Sequence, residues 1–194
     1  QHRRRANQNV RDSQSPMALT LISTHTASAS ASIDITAGIT STYDSYEFHF
    51  VNIHPQSDSQ EFKFQVNAAG QAGFNETITS SYFYAYHNEA DSFAALTYHT
   101  GGDQAQGTNY QMISAHIGNE NDESCSGVLT LYAPSSTTYV KHFVSRANRI
   151  ASNEFTVEAN VAGYINTTSA IDEISFKMNS GNIDAGTIKM FGVS

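Results

Sequence analysis

Apolar side chains recur at every second position along most of this chain, and no segment shows the three-to-four spacing of an amphipathic helix. The clearest run is the last one. Ile174, Phe176 and Met178 alternate with Ser175, Lys177 and Asn179, and Ile188, Met190 and Gly192 alternate with Lys189 and Phe191. Between the two runs lies SGNIDAG, residues 180–186, rich in the residue types that turns require. The pattern predicts two strands, Ile171–Met178 and Thr187–Val193, joined as the closing hairpin of an all-β body.

The same reading extends toward the N-terminus. Tyr46–Ile53 alternates through Tyr46, Phe48 and Phe50 and stops before Pro55, which has no N–H to give a central ladder. Glu61–Asn67 places Phe62, Phe64 and Val66 on one face. Further strands are predicted at Ser81–His87, Tyr110–Ile117, Gly127–Tyr132, Tyr139–Ser145 and Phe155–Ile165, with short ones around Leu19–Ile22 and Ile33–Ile35. His87–Gly107 reads as a long irregular connection broken by a short strand at Ala95–His99; connections of this length are uncommon and often functional. About eight to ten short strands without a helix predict a jelly-roll-like antiparallel β-sandwich with an extended N-terminal arm, ahead of a barrel or an immunoglobulin-like sandwich. The expected division is an arm and small-residue linker over residues 1–31 and a single sandwich domain over 32–194.

Composition sharpens this picture. A chain of 194 residues can enclose one core, burying roughly 70% of the surface it would expose unfolded. Ten Tyr, eleven Phe and no Trp, with few charged residues, suit extended sheets and surface assemblies better than a helical enzyme. The net charge of −8 is uneven: residues 1–16 hold Arg3, Arg4, Arg5 and Arg11 against Asp12, a surplus of +3, so the remainder carries −11. A basic arm on an acidic body is an expected docking element, whereas the body itself would repel nucleic acid. The single Cys125 excludes an intrachain disulfide framework, and no apolar run is long enough to span a bilayer.

Candidate chemistry is sparse. There is no nucleophile elbow, phosphate-binding Gly-rich loop or paired-histidine zinc motif. Glu120, Asp122 and Glu123 form an acidic loop with oxygen ligands suited to a hard cation, but without EF-hand spacing they read first as a solvated hairpin tip. His87, Glu89, Asp91 and His99 form a conceivable composite metal set whose simpler reading is a polar loop. No cofactor and no metal are expected. The aromatic run through Tyr82, Phe83, Tyr84 and Tyr86 stands out, because consecutive aromatics in a strand must occupy both faces. Tyr82, Tyr84 and Tyr86 are therefore candidates for subunit contact or for stacking on a glycan.

The phrases IDITAGITSTYDSYEFHFVNIHP (33–55), AYHNEAD (85–91), LYAPSSTTYVKHF (131–143) and AGYINTTSAIDEISFKMNSGNIDAGTIKMFGV (162–193) resemble small β-rich virion structural proteins of marine tailed bacteriophages. The likeness runs over residues 17–194 and carries no catalytic signature. It implies a non-enzymatic structural protein on the virion surface. The leading expectation is a capsid decoration or cement protein that forms a homo-oligomer, a trimer by preference, and docks on the major capsid protein or tail proteins through Arg3, Arg4, Arg5 and Arg11. The alternative is a tail- or head-fibre subunit that binds a receptor or host surface glycan. Neither reading involves nucleic acid or membrane insertion.

Overall fold

The computed structural model describes residues 18–194, which form twelve strands and no helix. In chain order they are β1 (Leu19–Thr26), β2 (Ile33–Ile35), β3 (Ser45–Pro55), β4 (Gln60–Ala68), β5 (Ile78–Asn88) and β6 (Ala94–Tyr98). There follow β7 (Gln111–Ile117), β8 (Cys125–Tyr132), β9 (Lys141–Ala151), β10 (Phe155–Ile165), β11 (Ile171–Met178) and β12 (Ile183–Val193). Arg3, Arg4, Arg5 and Arg11, the expected docking arm, lie outside the described residues.

The pairing is nested and antiparallel. β1 pairs with β12, β2 with β11, β3 with β8 and β4 with β7. A long ribbon has been doubled back on itself and wrapped, so that β12 also meets β3 and β11 also meets β4. The outcome is two facing sheets in the jelly-roll order, β1-β12-β3-β8 and β2-β11-β4-β7. The all-β antiparallel sandwich predicted from the alternation is therefore the fold.

The other four strands, β5, β6, β9 and β10, match runs predicted as strands, but their place in the sheet is not given by the alternation. They continue the first sheet past β8 as β9-β10-β5-β6, and β7 closes onto β9 at a single rung, Ile117 opposite Ala151. We call these strands the extension and the remaining eight the body.

Two expectations need correction. The last two strands are not a hairpin: β11 pairs with β2 and β4, whereas β12 pairs with β1 and β3, so the connection between them crosses from one sheet to the other. Their alternation reports which face is buried and is silent about which neighbour supplies the ladder. The expected domain boundary after residue 31 also falls too late, because the short strand expected around Leu19–Ile22 runs on to Thr26. Leu19–Thr26 is strand β1, laddered to β12 from Leu19–Val193 to Thr26–Thr187, so the sandwich includes it.

The core lies between the sheets and is aromatic. Phe48 and Phe50 of β3 meet Phe62 of β4 and Phe176 of β11, with ring centroids 5.1–5.8 Å apart. Phe64 meets Phe143 edge-on at 5.1 Å. All six rings are essentially inaccessible to water. Each such pair adds about 0.5–1.5 kcal/mol beyond the area it buries. Two polar side chains in this interior are held by backbone carbonyls. Gln65 Nε2 donates to the carbonyls of Glu76, Thr108 and Asn109, and Lys141 Nζ donates to those of Tyr139 and Thr167. Each pegs loops that no ladder holds, which is the condition on which a buried polar group is tolerated.

Candidate ligand-binding cleft

The second sheet ends at β7, so the inner face of β10, β5 and β6 has no opposing sheet. One half of that face is covered by a loop. Ser80 N donates to Gln104 O at 2.9 Å, and Ile78 and Gly107 exchange backbone bonds of 2.7 and 3.0 Å. Gln111, wholly buried at the start of β7, donates Nε2 to Gly102 O at 2.8 Å and accepts from Ser80 Oγ at 2.7 Å. Gly102 lies flat on the Tyr82 ring, where a Cβ would collide with the ring carbons.

The other half stays open, as a cleft of about 400 Å³. Its walls are aromatic. Tyr82, Tyr84 and Tyr86 share the inner face of β5 by the two-residue period, with ring centroids 6.1 and 5.5 Å apart. Phe155 of β10 continues the row, 5.7 Å from Tyr86. The cleft is lined by Tyr84, Tyr86 and Phe155, with Ser59, His116, Ser152 and Asn153 at its polar margin. Ser59 and His116 both hold left-handed backbone, with φ of 58° and 51°, and are joined by a 3.1 Å bond between Ser59 Oγ and His116 Nδ1. Non-glycine residues kept in that region cost about 1–3 kcal/mol each and gather at ligand clamps and active sites.

Arg149 lies at the floor. It is on the inward face of β9, opposite Cys125 on β8 and Val157 on β10, and only 5% of it is exposed. Nη1 reaches Ser114 Oγ at 3.4 Å, while Nε has no partner. Burial pulls the guanidinium's pKa below its ordinary value, although an arginine keeps its charge in a protein. No ion pair among the described residues includes it. Tyr82, wholly buried beside it, is pushed up to about 12, chiefly by burial and in part opposed by the Arg149 charge. The two side chains approach without meeting in hydrogen-bond geometry, so the Tyr82 hydroxyl is also unpaired. The Cys125 thiol, fully buried, is raised to about 11 by the same desolvation.

The sequence candidates distribute unevenly over this geometry. Tyr84 and Tyr86 are half-buried and line the cleft, as a stacking role requires, whereas Tyr82 is sealed under Gly102 and touches no ligand space. Phe83 points to the opposite face and is 44% exposed. In the acidic loop, Glu123 is buried and turns back on its own chain, accepting from Glu120 N at 2.8 Å. Glu120 and Asp122 stay in the exposed part of that loop, and no group of three or more metal-ligating side chains forms among the described residues. His87 pairs with Asp91 at 3.0 Å, while His99 is packed between Tyr82 and Tyr84, so the composite His/Asp/Glu set is not assembled.

Arg149, His116 and Phe155 escaped the sequence reading. For Arg149 a signal existed: the alternation Phe143, Ser145, Ala147 runs on to Arg149 and Ala151, which puts a charged residue on the buried face of a strand that runs six residues past its predicted end at Ser145. Comparisons with protein-family models, with curated proteins and with solved structures find no match to this chain.

Proposed function

We propose that this chain is a non-enzymatic structural protein of a virus particle that works by holding a ligand, as a receptor- or glycan-binding module of a tail or head fibre. The virion setting rests on the resemblance of residues 17–194. The binding role rests on one observation, the open aromatic cleft over Arg149, with Tyr84 and Tyr86 half-buried along its wall. Side chains that only filled a core would be sealed, as Tyr82 is. Pockets of this size class, with an aromatic lining and a few placed polar groups, are the usual form of a small-ligand site. Full-length protein labelled and applied to host cells tests this: binding that Tyr86→Ala reduces supports it, and the absence of binding by the wild-type chain refutes it.

A second reading, the decoration or cement subunit, is favoured by a different surface. On the outer face of the extension Phe83 stands opposite Tyr98, and Leu96 lies opposite Ala85 beside them. Phe83 of β5 is 44% exposed, and Leu96 and Tyr98 of β6 are 70% and 52% exposed, on an edge strand that among the described residues pairs only with β5. Exposed apolar groups beside a free strand edge suit contact with another subunit. Copy number per particle separates the two roles: hundreds of copies indicate decoration, and a few tens or fewer indicate a fibre.

A further inference from the structure

The cleft contains a cation without a counter-charge among the described residues. Arg149 is 95% buried by its 5% exposure, its Nε lacks any acceptor, and its one hydrogen bond is a long one to a serine hydroxyl. No carboxylate lines the cleft among the described residues, in a chain with eighteen acidic residues and ten basic ones. Desolvating a guanidinium this way is unfavourable unless something anionic completes it, and buried charges are otherwise paired. The fork of a guanidinium matches a planar oxyanion in a bidentate manner.

The surroundings narrow the anion's carrier. Tyr84, Tyr86 and Phe155 offer ring faces for an apolar surface, and the margin offers the hydroxyl, amide and imidazole groups of Ser59, Ser152, Asn153 and His116. A sugar ring has this dual character, an apolar C–H face and an edge of hydroxyls. We infer that the cleft takes an anionic saccharide, its carboxylate or sulfate seated on Arg149 and its ring laid against Tyr84, Tyr86 and Phe155. This deepens the ligand-binding reading above and rests on it.

The test applies full-length protein to an array in which each acidic oligosaccharide is paired with its neutral counterpart, the methyl ester of a uronate or the desulfated form of a sulfated glycan. The expected result is retention of the acidic member of at least one pair, with the neutral member about thirtyfold weaker or more, the factor expected for removing one partner of a buried charge pair. The uronate and sulfate arms show which anion is used. Arg149→Met should erase the difference within the pair without lowering the Tm, because the free protein gains nothing from an unpaired buried charge. Tyr86→Ala, at the cleft wall, should weaken both members. Equal binding within every pair, or retention of neutral glycans alone, would overturn the anionic inference and leave the ligand-binding reading standing. Retention of no glycan overturns the inference and removes the glycan from that reading. Arg149→Met that lowers the Tm and keeps the acidic preference would assign Arg149 a purely structural role and also overturn it.

Discussion

Body and extension are made of the same material, antiparallel strands with period-two alternation, yet they finish their inner faces differently. In the body each sheet covers the other, and Phe48, Phe50, Phe62 and Phe176 meet across the gap, buried from solvent. In the extension no second sheet is available beyond β7, and a loop pinned by Gln65 and Gln111 replaces it over half of the face. The remainder is left as the cleft. Connectivity differs too. The body's ladders join strands distant in sequence, such as β1 with β12, whereas the extension includes the local hairpins β5-β6 and β9-β10. Binding features arise where the sandwich runs out of partner sheet: polar and aromatic groups facing inward there are neither sealed nor fully satisfied.

The largest expected effect breaks the body. Phe176→Ala removes a ring that touches Phe48, Phe50 and Phe62, and it should cost about 3–5 kcal/mol with a matching fall in Tm. Because the extension is anchored through β9, both regions should unfold in one transition; a residual transition belonging to the extension would show that it folds by itself.

The next effect is set by alkaline pH and bears on the junction between the regions. Tyr82 and Cys125 have folded pKa values raised to about 12 and about 11, both chiefly by burial. Their neutral forms favour the fold, so the contribution is complete below the unfolded pKa values and is lost as pH rises through the folded ones. Stability should therefore fall from about pH 9 upward, by on the order of 3 kcal/mol for each group once fully developed. Denaturant unfolding at stepped pH measures it, and Tyr82→Phe should flatten the upper part of the decline. An unchanged slope in that variant would mean that Tyr82 is not responsible.

The smallest effect sharpens the comparison by acting on the extension alone. Gln111→Leu strands the Gly102 carbonyl and the Ser80 hydroxyl, at a cost of about 1–3 kcal/mol. Hydrogen exchange should quicken at the Ser80 and Gln104 amides and stay slow in β3, β4 and β11. Uniform quickening across both regions would show that the loop is part of the body's cooperative unit.

The alternation made much of this legible. The burial of Phe62, Phe64 and Val66, and of Ile174, Phe176 and Met178, follows from a period of two, and the stop at Pro55 follows from its missing donor. Tyr84 and Tyr86 stand out in the sequence because consecutive aromatics in a strand must occupy both of its faces. The expected hairpin of β11 with β12 failed because alternation fixes a face without choosing a partner, and partners in a jelly roll lie across the sandwich. The acidic loop reads first as a solvated hairpin tip, and Glu120 and Asp122 are exposed there, but Glu123 is used by its own loop, a local competition that spacing does not reveal.

By itself, the sequence determined the all-β class, the strand positions and the faces that must be buried, because a side chain's direction on a strand is fixed by its own backbone. Tertiary structure decided which strands meet, that four of them overrun the opposing sheet, and that Arg149 faces an aromatic cleft with no counter-charge among the described residues. Those outcomes depend on distant segments closing against one another, and no local rule contains the other half of a contact.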